Sequence, residues 1–198
     1  FRELDTYAIE NFEHPLALVL KSNGTIIIFE AANWTESDHS SIAQLTISNK
    51  GDLISKKLYN TRYFSETPYD VAELNNGSYA VAGAVNDYAS NNLYSGKSFI
   101  MLVDSSGRNT VHYFGKEDSI SKLLSVKPIN SGVISLGFSD TDSLSNGLDN
   151  LIVITDSLGN IYPNRLKIGV REDINKNCKL DPEDSLSKQY LIFVTGPM

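Results

Sequence analysis

The residues best placed to do chemistry lie in one twelve-residue segment, Asp173-Ile174-Asn175-Lys176-Asn177-Cys178-Lys179-Leu180-Asp181-Pro182-Glu183-Asp184. A loop that wraps Ca2+ presents side-chain oxygens at positions one, three and five, a backbone carbonyl at seven and a carboxylate at twelve. Those positions are Asp173, Asn175, Asn177, the Lys179 carbonyl and Asp184, with Asp181 at position nine acting through water. Ca2+ is a hard cation, and alternate residues on a tight loop aim oxygens inward. Two positions depart from the pattern. Cys178 stands at six, where Gly permits the sharp turn, and Asp184 reaches less far than a Glu would. The competing reading is a solvated loop with Asx turns, which draws on the same residue types. A bound Ca2+ would be structural, pinning a hydrophilic connection to the terminal strand.

Other reactive residues form no pattern. His14, His39 and His112 lie far apart without metal-site spacing. Cys178 sits among carboxylates that keep a thiol protonated. No Gly-x-Ser-x-Gly elbow occurs. Asp140, Asp142 and Asp149 form an acidic stretch without fixed ligand spacing, and a carboxylate pair for glycoside hydrolysis is defined in space rather than in sequence. Aromatics gather between the apolar runs (Trp34, Tyr63, Phe64, Tyr88, Tyr94), where they serve packing or the binding of sugars and peptides.

The elements that carry these residues repeat. Asn23-Gly24-Thr25, Asn76-Gly77-Ser78 and Ser131-Gly132-Val133 each open an apolar run, with the glycines 53 and then 55 residues apart (24, 77, 132). Ser48-Asn49-Lys50-Gly51, Asp104-Ser105-Ser106-Gly107 and Asp156-Ser157-Leu158-Gly159 recur in step, 56 and then 52 apart (51, 107, 159). Periods of this length built from short strands point to propeller blades or a related β array. Each unit reads as four strands. They are Leu16–Leu20, Thr25–Ala31, Ile42–Ile47 and Leu53–Tyr59, then Tyr69–Leu74, Tyr79–Val85, Phe99–Val103 and Thr110–Phe114, then Leu123–Pro128, Val133–Phe138, Leu151–Thr155 and Ile161–Ile168. Asn23-Gly24 and Asn76-Gly77 read as two-residue hairpin turns. The second-to-third-strand connections, Asn33–Ser41, Asn86–Ser98 and Asp140–Asn150, are long and polar, as a binding face uses. Ile26-Ile27-Ile28 and Leu151-Ile152-Val153-Ile154 imply strands covered on both faces. The expected core includes Ile27, Ala80, Val81, Leu136, Ile152 and Ile154.

The fold class is therefore all-β, a propeller-like array of three four-stranded units at about 15–60, 69–115 and 123–169 in a single domain 1–198. Strand-like segments Thr6–Phe12 and Gln189–Thr195 remain, to pair as an incomplete further blade. The alternative is more blades or another subunit completing the array.

Composition narrows the partners. With 41% hydrophobic and 21% charged residues the chain is globular, and its net charge of −7 disfavours a nucleic-acid backbone. No apolar run reaches transmembrane length. One cysteine gives no intrachain disulfide. The opening Phe1 leads us to expect a mature or trimmed chain.

Asn146 to Tyr162 resembles a blade of the bacterial and archaeal β-propeller repeats: a Gly-rich turn, an Asp, an apolar strand, then Thr155-Asp156-Ser157-Leu158-Gly159 and an aromatic. Ser95-Gly96 to Tyr113 is similar in the same register, while the first unit has Ser48 in place of the Asp. The 173–184 loop resembles dockerin and thrombospondin-type variants of the EF-hand loop, without an expected helix before it, since Arg165–Val170 reads as strand. These resemblances imply a fold and a Ca2+ site; they imply no single activity. The expected function is a non-catalytic binding or scaffolding module of a bacterial secreted or cell-surface protein, a lipoprotein among the possibilities, recognising a protein or carbohydrate through its loops. The alternative is a hydrolase acting on carbohydrate or lactone, with carboxylates or a metal on the array axis.

Overall fold

A computed structural model describes residues 13–34, 39–59, 66–85, 96–115, 120–139, 149–161, 171–172 and 185–186. The described residues contain strands and turns and no helix. The first sheet is β1 (Glu13–Leu20), β2 (Ile26–Trp34), β3 (His39–Ile47) and β4 (Leu53–Tyr59). The second is β5 (Glu66–Glu73), β6 (Tyr79–Val85), β7 (Ser98–Val103) and β8 (Asn109–Phe114). The third is β9 (Ser121–Ile129), β10 (Gly132–Ser139) and β11 (Asp149–Asp156), with Ile161 bridged antiparallel to Thr155 where a fourth strand was expected. In all three, sequence neighbours are sheet neighbours and every pair is antiparallel. A two-residue ladder joins β12 (Arg171–Glu172) to β13 (Ser185–Leu186). The repeat in the sequence is thus a repeat of antiparallel meanders. The rest of the expected strand Ile161–Ile168 and the terminal segments Thr6–Phe12 and Gln189–Thr195 lie outside the described residues.

The sheets stack face to face, and strand periodicity decides which side chains meet. Ile27, Phe29, Ile42 and Tyr59 of the first sheet pack with Val71, Tyr79, Val81, Phe99 and Met101 of the second. Ala72, Ala80, Ala82 and Ile100, on the other face of the second sheet, pack with Leu123, Val126, Val133 and Val153 of the third. Every residue of β6 is buried because its odd positions face one neighbour and its even positions the other. Alanines on one face of β6 let the third sheet approach closely. Close backbone approaches between sheets join β1 to β5 and β5 to β9, the first strands, with β6 also reaching β9.

Two-sided burial belongs to β6 and β7 rather than to the strands expected to show it. In β2, Ile27 is buried while Ile26 and Ile28 are partly exposed, and in β11 only Val153 of the apolar run is buried. Ile27, Ala80 and Val81 are core as expected. Leu136 is not: it is 49% exposed, and its cross-strand partner Ile152 and next-pair neighbour Ile154 are only partly covered. Register places Leu136 and Ile152 on the face of the third sheet turned away from the second, and no described strand covers that face.

A second repeat is structural and was not legible as a motif. Each first strand carries a bulge at the same place. The ladder skips Leu16 between Pro15 and Ala17, Tyr69 between Pro68 and Asp70, and Leu124 between Leu123 and Ser125. These positions are 53 and then 55 residues apart (16, 69, 124), the spacing of the first landmark. Such bulges increase local twist. Opposite the second and third bulges stand Gly83 and Gly137, where a Cβ would lie 2.2 Å from the Thr67 carbonyl oxygen and 1.8 Å from that of Lys122. Gly83 also leaves room for the Phe99 ring, 2.5 Å from where its Cβ would be.

The turns correct one expectation and explain another. Asn23-Gly24 and Asn76-Gly77 are parts of longer turns, not two-residue ones. Gly24 and Gly77 donate to the carbonyls of Lys21 and Leu74, while Lys21 and Leu74 donate to those of Thr25 and Ser78. The second landmark folds identically, with Gly51, Gly107 and Gly159 donating to Ser48, Asp104 and Asp156. All five glycines have φ between 75° and 92°, the left-handed conformation that ends a three-residue hairpin loop. Gly132 is different. It lies within β10, after the turn at 130–131, and a Cβ there would meet the Thr155 carbonyl oxygen at 1.8 Å. The third copy of the first landmark is therefore a close-approach glycine and not a turn glycine.

Candidate functional site

The meander topology sorts the connections between two ends: none at one end exceeds five residues, while those at the other run from four residues (35–38) to twelve (86–97). The five glycine turns, 21–25, 48–52, 74–78, 104–108 and 156–160, and the short turn at 130–131 between β9 and β10 fall at one end of the sheets. The connections between β2 and β3, β4 and β5, β6 and β7, β8 and β9, and β10 and β11 all emerge at the other end. Four of the buried polar residues are the strand residues nearest those connections: Glu66 begins β5, Ser98 begins β7, Ser121 begins β9 and Ser139 ends β10.

Glu66 is fully buried and accepts a hydrogen bond from the Tyr113 hydroxyl at 3.1 Å. Tyr113 reaches it across the face of the second sheet, packed edge-on against Phe99 with ring centroids 6.4 Å apart. Beside the third sheet, the Ser121 hydroxyl donates to the Ser98 hydroxyl at 2.9 Å, and the Ser121 amide donates to the Gly96 carbonyl at 2.9 Å. Ser139 pairs with Ser121 in the ladder. In the first sheet the Tyr59 hydroxyl donates to Gln44 Oε1 at 2.6 Å, and burial pushes the Tyr59 phenol up to about 12. Buried polar groups tied in this way hold strand ends in place under long connections. A buried carboxylate held by a tyrosine, with hydroxyls tied to one another, positions the strand ends.

Polar contacts also lock sheet to sheet. Asp70, next to the β5 bulge, accepts from the Val126 amide at 2.9 Å, the Ser125 hydroxyl at 3.1 Å and the Lys127 ammonium at 3.3 Å, all on β9. Lys57 of β4 donates to the Gly107 carbonyl and lies 5.4 Å over the Tyr59 ring. Gly159 abuts His112 of β8, where a Cβ would come within 2.3 Å of the ring. The third-to-fourth-strand turns of the second and third units thus rest against the fourth strand of the preceding unit.

The second landmark proves to be a turn device. Asp104 Oδ1 accepts from the amides of Ser106 and Arg108, both at 2.9 Å, and Asp156 Oδ1 from those of Leu158 and Asn160, also at 2.9 Å. In the first unit Ser48 Oγ takes the same two amides, Lys50 at 3.1 Å and Asp52 at 3.0 Å. The Ser that departs from the repeat pattern therefore does the work of the Asp. The hydrogen bond from the Ser106 hydroxyl, then that from the Arg108 amide, hold the Asp104 carboxyl well below the usual range. The Asn160 side-chain amide does most to lower Asp156.

The expected Ca2+ ligands Asp173, Asn175, Asn177, Lys179, Asp181 and Asp184, like Cys178, lie outside the described residues. What the structure describes is the frame. Arg171 pairs with Leu186 and Glu172 with Ser185, so the twelve positions leave and return through one antiparallel ladder. Asp140, Asp142, Tyr63, Phe64, Tyr88 and Tyr94 also lie outside, while Asp149 begins β11 and Trp34 ends β2 at the long-connection end. His14 and His39 belong to β1 and β3 of the first sheet and His112 to β8 of the second. Among the described residues no three His, Cys, Asp or Glu side chains converge as metal ligands, and no helix is long and apolar enough to cross a membrane.

No family model matches the sequence, and no curated protein does. Among solved structures, the chain is similar to a protein of unknown function from Bacteroides caccae, at 14% identity over 75% of this chain and 65% of that one, with a TM-score of 0.31. Less than two thirds of that protein is spanned, and a likeness of this degree carries no weight on fold or function.

Proposed function

We propose that the protein is a non-catalytic recognition module, a propeller-like array of meanders that binds a protein or carbohydrate at its long-connection end. The observation that carries this reading is the division between the two ends: short turns at one, five of them of one design, and every connection longer than five residues, over tied-down polar strand ends, at the other. Rigid sheets presenting variable loops are a common way to build a binding surface. The blade-like reading rests on the meander repeat and on the successive contacts of first strands. A bacterial cell-surface or secreted setting agrees with the acidic, disulfide-free composition. The hydrolase alternative has less behind it, because the buried Glu66 carboxylate is engaged by the Tyr113 hydroxyl.

In the same reading, 173–184 is a structural Ca2+ loop, supported by its ligand spacing and by the ladder that brings its ends together. Glycan and peptide arrays probed with the intact protein test the recognition reading. Binding should fall on Trp34→Ala and Tyr88→Ala and persist on Lys50→Glu at the tight-turn end. Turnover of chromogenic glycosides or lactones, abolished by Glu66→Gln in a folded variant, would overturn it in favour of an enzyme.

A further inference from the structure

The core between the second and third sheets is not a copy of the core between the first and second. In the second sheet, Tyr79 stands opposite Val103 and Val81 opposite Met101. In the third, Val133 stands opposite Thr155 and Ser135 opposite Val153. Val81 and Val103 are buried against the first sheet. Their counterparts Ser135 and Thr155 share a face with Val133 and Val153, which pack on the second sheet, and both are fully buried. Each unit thus meets the preceding sheet with the same two positions, and in the third unit both valines have become hydroxyl residues. Neither hydroxyl has a hydrogen-bond partner among the described residues. By contrast, Ser98 and Ser121 of the same two sheets bond to each other.

We infer that Ser135 and Thr155 hold a buried water molecule between the second and third sheets. A hydroxyl taken out of water without a partner is destabilising, and two side by side repeat that cost with no gain in packing over valine. Register sets the two residues diagonally on one face of the β10–β11 ladder. Diagonal neighbours have Cβ atoms about 7 Å apart, so hydroxyls turned towards each other lie about 4–5 Å apart, the span that one water bridges with a hydrogen bond to each. Both hydroxyls donate and accept, so they suit a water in either orientation. A buried water makes about three hydrogen bonds and at least two, and this pair supplies two. Room comes from composition. Ser135 has one side-chain heavy atom fewer than Val81, and the facing strand brings Ala80 and Ala82 to the interface. The surroundings, Val126, Val133 and Val153, are aliphatic and uncharged, which suits a small neutral occupant and not an ion.

A high-resolution crystal structure of the intact chain tests this without any substitution. One water should lie about 2.7–3.2 Å from both Ser135 Oγ and Thr155 Oγ1. Thermal melting gives a second reading. Ser135→Ala and Thr155→Val each take one anchor from the water, so each should lower the melting temperature by about 2–6 °C. The double variant Ser135→Ala/Thr155→Val should lose less than the sum of the two, because both changes break one bridge. Hydroxyls buried without a partner would behave in the opposite way: each single variant would remove a penalty and melt higher than wild type. That result overturns the inference. So do single losses that add in full, or a crystal structure in which the two oxygens bond directly to each other or meet no water.

Discussion

Single atoms decide the behaviour of the tight turns. Gly159 and Gly77 both have positive φ, at 86° and 75°, but only Gly159 is crowded. Substitution by Ala at either should cost about 1–2 kcal/mol for the left-handed backbone. Gly159→Ala should cost measurably more, because its Cβ would sit 2.3 Å from His112 while that of Gly77 meets nothing within 4 Å. Urea denaturation of the two variants checks this, and equal losses would mean that the contact between units yields freely. The aspartates add a pH dependence of definite sign. Asp104 and Asp156 have lowered folded-state pKa values, so folding favours their ionised forms. That stabilisation is complete above the unfolded value of about 4 and is lost as pH falls through the lower folded values. Both side chains face solvent, so the effect is modest and screened by salt. The double variant Asp104→Ala/Asp156→Ala should melt lower than wild type at neutral pH, and the gap should narrow on acidification. A gap that holds constant would show that the turns contribute nothing through ionisation.

Elements are stabilised according to the faces they cover. Ile100 of β7 is fully buried between the second and third sheets, and Ile100→Ala should cost about 2–5 kcal/mol. Ile152 of β11 lies on the face of the third sheet turned away from the second. Ile152→Ala should cost under about 1.5 kcal/mol, since a partly covered side chain gives up only part of its transfer free energy. Chemical denaturation makes the comparison. Similar losses at the two sites would place a cover over the third sheet within the single chain. The bulged first strands belong to the same scale. Each kink sits where one sheet's first strand meets the next, and Asp70 shows how a residue beside a bulge becomes a tether, gathering three donors from β9.

At the scale of the whole molecule, a Ca2+ ion bound as proposed at 173–184 would tie down the segment after β12. In that proposal Asp173, Asp181 and Asp184 stand at ligand positions, and removing the cation would leave their like charges unbalanced. Calcium that binds the folded state alone raises stability by about 2.7 kcal/mol at a hundredfold excess over its dissociation constant. The melting temperature should rise with Ca2+, fall with chelator, and lose this response in Asp173→Ala. Identical melting in calcium and chelator, with no heat of binding, would reduce the loop to a polar connection. A calcium response that survives Asp173→Ala would move the metal elsewhere, with Asp140, Asp142 and Asp149 the next residues to change.

The sequence by itself determined the strands and their grouping, because these depend on local chemistry. β-branched and aromatic runs, glycines with positive φ and Asp-x-x-Gly turns act within a few residues of one another, so β4 and β6 match their expected limits and the meander repeat was legible from two landmarks. The oxygen spacing of 173–184 is equally local and remains a sequence argument. Tertiary structure alone decided which faces are covered. Leu136 and Ala82 occupy matching positions in matching strands, yet one is half exposed and the other buried, because among the described sheets the second is the one packed by a sheet on each face. It also decided that Gly132 serves close approach where Gly24 and Gly77 serve turns, and that Ser48 replaces an aspartate without loss of the turn. It decided, too, that Glu66 lies beneath Tyr113, a residue 47 positions away. Such pairings are set by register and stacking between strands distant in sequence, and no local pattern encodes them.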